Sequence, residues 1–155
     1  MRFRISAAIA ALGLGIVGQA LAGDISPQAN RVYLAKNATK PGVVVLPSGL
    51  QYRIIKSGAG ETPHPEDLVK VSYKGALVDG IVFDQTKPGE TRNLPAGKVI
   101  PGWIEALSLM KEGDEWELVI PSELGYGAAR AGEAIPPNQV LVFDLQLIAV
   151  IRPKP

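Results

Sequence analysis

Few side chains in this sequence could carry covalent chemistry. Its 155 residues include no cysteine and a single histidine, so disulfides and thiol catalysis are excluded. His64 stands between Pro63 and Pro65 with no second histidine or cysteine to join it, and it reads as an exposed turn residue, not a metal ligand. The one GxGxxG match, Gly13 to Gly18, lies inside the apolar run at the chain start with no strand before it; past residue 22 neither that pattern nor GxxxxGK[ST] occurs, and the spacing of Gly89, Gly97 and Gly102 matches no phosphate loop. What remains is a set of aromatic residues, Tyr73, Phe83, Trp103 and Phe143, with two polar companions. Asp84 directly follows Phe83, and Tyr126 lies between Gly125 and Gly127. Taken singly, each has an ordinary role: Trp103 as helix core, the other three as inward-facing strand residues, Asp84 as a turn cap and Tyr126 as a loop anchor.

The elements that would position them follow from periodicity. Leu50 to Lys56 starts with strand-like alternation and stops at Ser57-Gly58. Val69, Val71, Tyr73, Gly75 and Leu77 share one side of the next strand, while Lys70, Ser72 and Lys74 share the other. Asp79-Gly80 then predicts a primed hairpin turn before Ile81-Val82-Phe83. Residues 84–98 read as loop. In Pro101 to Gly113, Trp103, Ala106, Leu107 and Met110 fall on one helical face, with Pro101 suited to the start and Gly113 to the stop. Trp116, Leu118 and Ile120 share one face of a further strand, with Trp116 left as core or sheet surface. A glycine- and proline-rich loop, Pro121 to Gln139, leads to a last strand in which Phe143, Leu145, Leu147 and Ala149 share a face. Strands around one short amphipathic helix predict an α+β domain with an antiparallel sheet that buries one face against that helix.

The chain start reads as an export leader. Arg2 and Arg4 precede an apolar run from Ile5 to Val17, and Ala20-Leu21-Ala22 before Gly23 has the small-x-small form of a cleavage site. The run is short for a membrane anchor. Removing Arg2 and Arg4 from 16 Lys+Arg leaves 14 against 15 Asp+Glu, a net charge near −1, which offers nothing to nucleic acid or an anionic membrane. The expected organisation is a leader over 1–22, an extended arm over 23–48, a folded domain over 49–151 and a tail over 152–155. The arm allows a helical turn around Asn30 to Lys36, and Val43 to Leu46 could be an edge strand.

Short segments in register carry a resemblance. Val71-Ser72-Tyr73-Lys74-Gly75, Asp79-Gly80-Ile81-Val82-Phe83-Asp84, Val99-Ile100-Pro101-Gly102-Trp103 and Met110-Lys111-Glu112-Gly113 come first. Ile120-Pro121, Leu124-Gly125-Tyr126-Gly127, Ile135-Pro136-Pro137-Asn138 and Leu141-Val142-Phe143 follow. Together they resemble the FK506-binding-type peptidyl-prolyl isomerases across roughly Gly49 to Ile151. The arm, through Leu34-Ala35-Lys36-Asn37, Pro41-Gly42-Val43-Val44 and Ser48-Gly49-Leu50-Gln51-Tyr52, resembles the bacterial macrophage-infectivity-potentiator group. That group's long upstream helix is not expected here, so a monomer is favoured.

The resemblance implies a curved antiparallel sheet wrapped around the short helix, with a proline pocket floored by Trp103 and walled by Tyr73, Phe83, Val99, Ile100 and Phe143. Asp84 and Tyr126 would stand at the rim, the Ile100 N–H would hold a ligand carbonyl, and Ile135 would form a lip. Four positions depart from the family. Leu94 and Ala96 stand where large or aromatic walls are usual, Ala134 is small, and Lys98 replaces an acid or amide, which predicts a wider, less aromatic pocket. The implied activity is cis/trans isomerisation of Xaa-Pro bonds in unfolded or partly folded exported polypeptides, without metal or cofactor, in the periplasm. Macrolides such as FK506 and rapamycin would bind with altered affinity. The alternative is a chaperone or peptide-binding module with weak turnover.

Overall fold

A computed structural model describes residues 23–155; the expected leader lies outside them. The elements in order are α1 (Pro27–Asn37), β1 (Val44–Val45), β2 (Gln51–Lys56), β3 (Leu68–Ala76), β4 (Val82–Gln85), β5 (Arg92–Pro95), α2 (Pro101–Leu107), β6 (Glu115–Ile120), a 3₁₀ turn (Ser122–Leu124) and β7 (Leu141–Ile151). No helix among the described residues is long and apolar enough to cross a membrane.

All the strands join one antiparallel sheet in the order β1-β2-β6-β7-β3-β4, with β5 also on β3. The fold class is therefore as expected. The alternation of β6 and β7 turns Leu118, Ile120, Leu141, Leu145 and Leu147 into a core of which each member is fully buried. α2 lies against this concave side and buries Trp103, Ala106 and Leu107, a large apolar side chain such as Leu107 contributing about 1.5–3 kcal/mol. Trp116 joins the core and stacks on Tyr52, with ring centroids 4.2 Å apart and planes at 11°.

β3 organises the site because its outer edge is shared. Its first half, Leu68 to Val71, pairs with β5, and Lys74 to Ala76 pairs with β4. At the seam the Tyr73 carbonyl accepts the Thr86 N–H at 2.9 Å. A side chain at position 73 therefore sits between β4 and β5. Along its other edge β3 pairs with β7, which sets Gly75 opposite Phe143.

Four expectations need correction, the first being the helix stop: α2 ends at Leu107, with Ser108 as its C-cap, and not at Gly113. The stretch 84–98 is not all loop: β4 runs to Gln85, and Arg92–Pro95 forms β5, a strand that alternation alone could not reveal in four residues. The hairpin turn is not of the primed type. Gly80 N–H donates to the Leu77 carbonyl at 2.9 Å, so the central residues are Val78 and Asp79, neither with a positive φ, and Gly80 follows them at a φ of 90°. Finally, the arm is not extended. Ser26 caps α1 through an Ala29 N–H bond of 3.1 Å, and Pro27 fills the first turn. α1 lies over the outer sheet face: Asn37 donates to Gln51 at 2.7 Å, and Gln51 donates to the Leu34 carbonyl at 3.1 Å. Gln51 is in register with Val119. Val119, on the face opposite Leu118, is buried as a result.

Candidate functional site

A cavity of about 150 Å³ opens between α2 and the β3–β4 end of the sheet. Trp103, 4% exposed, forms its floor from the first turn of α2, with its indole N–H buried and unpaired. Tyr73 meets Trp103 edge-on at 5.1 Å, and Phe143 meets it edge-on at 5.3 Å. Phe83 stands perpendicular to Phe143 at 5.6 Å. These edge-to-face contacts are the arrangement that ring quadrupoles favour, so the walls brace one another. Val99, Ile100 and Leu94 complete the apolar lining, while Asp84 and Tyr126 lie at the rim.

The rim is a hydrogen-bonded triad. The Tyr73 hydroxyl donates to Asp84 Oδ2 at 2.5 Å. Arg92 Nη1 donates to the Tyr73 oxygen at 2.6 Å and lies 3.4 Å from Asp84 Oδ2, with its guanidinium 5.4 Å from the Tyr73 ring centre. Burial, and then the bond to Asp84, push the Tyr73 hydroxyl up to about 12. It stays protonated at neutral pH, which makes it a permanent donor that points the Asp84 carboxylate along the rim. Across the cavity, Ile100 is the N-terminal boundary residue of α2. Its backbone N–H has no acceptor among the described residues and remains available to a carbonyl from outside.

The structure gathers every expected site residue except Ile135. That side chain is 5% exposed and belongs to the core cluster, held by a bridge to Ala131; it does not line the cavity. Among the departures, Leu94 does line it. Ala96 does not. It is buried behind α2, near Pro63 and Leu107, and its N–H donates to the Asp67 carbonyl at 2.9 Å. Lys98 and Ala134 are exposed and form no wall. Widening of the pocket by these positions thus comes down to Leu94.

Sequence reasoning missed Arg92, because a short strand inside a presumed loop gave no face to assign. The signal available was its position two residues before Leu94. A larger hollow of about 480 Å³ lies between the sheet and the 86–91 loop, but Lys74, Glu115, Asp144 and other polar side chains line most of it, and Tyr73 is its one aromatic residue. No three His, Asp or Glu side chains among the described residues gather to hold a metal ion.

A curved sheet around a short helix, whose tryptophan floors a one-ring aromatic pocket, defines a small binding domain for a compact apolar group. The family described as FKBP-type peptidyl-prolyl cis-trans isomerase matches residues 59–148, and the domain amino-terminal to that isomerase matches residues 19–54. The chain is 50% identical over 119 residues to the outer membrane protein MIP of Legionella longbeachae, covering 76% of this chain and 51% of that protein. It is also 50% identical over 120 residues to the FKBP-type 22 kDa peptidyl-prolyl cis-trans isomerase of Escherichia coli, covering 77% and 58%. A peptidyl-prolyl isomerase structure from Pseudomonas syringae superposes with a TM-score of 0.76 at 38% identity, covering 84% of this chain and 100% of that one. Escherichia coli FkpA gives 0.75 at 43% identity, covering 79% and 58%. The chain belongs to the FKBP-type peptidyl-prolyl cis-trans isomerase family and is related to its bacterial MIP- and FkpA-like members. It spans about half the length of the curated relatives it matches.

Proposed function

We propose that this protein accelerates rotation about Xaa-Pro bonds in exported polypeptides while they fold. The observation that carries the reading is the aromatic cavity of about 150 Å³ over Trp103, a volume at which a dry apolar cavity accepts a single ring such as benzene. A prolyl ring is of that class.

The chemistry needs no bond to break. Rotation is opposed by about 18–20 kcal/mol of amide resonance and otherwise takes tens to hundreds of seconds. As the bond twists, resonance fades and the amide loses polarity, so surroundings that exclude water favour the twisted form over the planar one. Trp103, Tyr73, Phe83 and Phe143 supply that surface. The Ile100 N–H fixes a substrate carbonyl on one side, and Asp84, aimed by Tyr73 and Arg92, faces the dipoles of the turning amide on the other. Each 1.4 kcal/mol gained by the twisted state is worth about tenfold in rate.

The substrates we infer are unfolded or partly folded chains in the periplasm, reached through cleavage before Gly23; Arg2, Arg4, the apolar run and Ala20-Leu21-Ala22 support this. Macrolides of the FK506 and rapamycin type would enter the same cavity, with affinity altered by Leu94. The test is protease-free NMR exchange on short Xaa-Leu-Pro and Xaa-Phe-Pro peptides, with the wild type beside folded Asp84→Ala and Phe83→Ala. Acceleration that falls in both variants is expected. No acceleration by the folded wild type on either peptide would refute the reading and leave chain binding without turnover.

A further inference from the structure

The N-terminal arm contributes nothing to the cavity lining, yet it is bonded to the base of the long loop that carries Tyr126. Asn30 is 4% exposed and uses its whole amide. Its Nδ2 donates to the carbonyls of Ile25 at 3.1 Å and Ser26 at 2.9 Å, and reaches Gln139 Oε1 at 3.3 Å. Its Oδ1 accepts the Val140 N–H at 2.8 Å. Gln139 in turn donates to the Ile25 carbonyl at 3.2 Å. The first turn of α1 and the entry to β7 are thereby clasped together.

The next bonds lead to the rim. Asn138, adjacent to the clasp, donates its N–H to the Gly127 carbonyl at 2.7 Å, and Gly127 N–H donates to the Ser122 carbonyl at 2.8 Å. Asn138 does this at a φ of 60°, a left-handed conformation that asparagine tolerates better than most side chains. Tyr126 lies inside the ring of bonds so closed, one residue from Gly127, and from there it reaches the cavity. The helix that makes the clasp buries Asn30 and Asn37 and has no apolar stripe. Its docking thus depends on directional hydrogen bonds, which fix a position where apolar contact would allow sliding.

We propose that Asn30 is a positioning residue for the pocket: through Gln139 and Val140 it fixes the base of the 121–139 loop and so places Tyr126 against bound substrate. The kinetic part of this rests on the isomerase reading; the structural part does not.

Two measurements on the full mature chain separate them. In a double-mutant cycle, Asn30→Ala is expected to lower kcat/KM roughly three- to tenfold when Tyr126 is present and to change nothing in a Tyr126→Ala background. An equal loss in both backgrounds makes Asn30 a general stabiliser and overturns the proposal. Amide hydrogen exchange supplies a readout independent of turnover. In folded Asn30→Ala the Gly127 and Asn138 amides should exchange about tenfold faster while those of β6 keep their rates. Unchanged Gly127 and Asn138 exchange overturns the proposal even if the wild type proves to be no isomerase. Should Asn30→Ala fail to fold, Gln139→Ala removes one side of the clasp and is held to the same outcomes.

Discussion

Gly75→Ala tests whether the pocket's walls are held in place by an absent side chain. A Cβ at this position would lie 2.6 Å from Phe143 Cε1 and 2.7 Å from Phe83 Cζ. Ordinary carbon contacts need about 3.5–4.0 Å, so one or both rings must retreat by roughly 1 Å. Phe143 is 5% exposed and braced by Tyr73 and Trp103. Phe83 is only half-buried, so it should yield and swing. Overpacking of this kind costs about 1–3 kcal/mol. Replacing a strand glycine by alanine returns about 0.5–1 kcal/mol. The net expectation is a folded protein less stable by about 0.5–2 kcal/mol. Catalysis should suffer more, because a misplacement of about 1 Å in an active site can cost on the order of a hundredfold. The assay pairs urea denaturation with peptide exchange kinetics. A folded Gly75→Ala protein with unchanged stability and unchanged kcat/KM would refute the claim that Phe83 and Phe143 are set by the gap at Gly75.

Three further outcomes are expected. Burial, together with the hydrogen bond and charge of Glu115, raises the Asp144 carboxyl from 3.8 to about 6; a raised acid stabilises the fold below pH 3.8 and loses that contribution as pH climbs through about 6. Asp144→Asn should therefore gain stability over the wild type at pH 8 and little at pH 4, by no more than about 1 kcal/mol because the carboxyl is only partly buried and solvent screens it; thermal melts at the two pH values check this. Asp84→Ala should bring the Tyr73 hydroxyl down from about 12 towards its ordinary value, though burial, the larger cause, keeps it raised; tyrosine-selective ¹³C NMR titration would report it, and an unchanged Tyr73 would remove Asp84 as a cause. Asn138→Ala should cost about 1–2 kcal/mol for its positive φ, whereas Asn138→Gly should be close to neutral; urea denaturation of both variants decides.

The sequence was legible wherever a local pattern answered to one physical cause. Alternation in β3, β6 and β7 put Val71, Leu118 and Leu145 in the core, and the helical stripe placed Trp103, Ala106 and Leu107 there too, while Met110 is buried from beyond the helix end. The motifs identified the pocket residues because they are fixed by a shared register: Gly75 faces Asp84 on one side and Phe143 on the other. Ser26-Pro27 was also a readable helix start, but α1 lacks the apolar period that would have drawn attention to it. Its buried residues are asparagines, whose partners Gln51, Gln139 and Val140 are supplied from distant parts of the chain.

What only the tertiary structure decided was which side chains meet. Arg92 and Asp84 are brought to one tyrosine because β4 and β5 divide the edge of β3 between them, a pairing of strands that no local period encodes. Ala96 and Leu94 are two residues apart, yet one lies behind α2 and the other lines the cavity, since the chain leaves β5 between them. The sequence by itself determined the residue types, their alternation and the family they belong to, because those depend on neighbours along the chain. Long-range pairing decided the rim triad, the buried Ile135 and the clasp at Asn30, because hydrogen bonds and packing depend on distance in space.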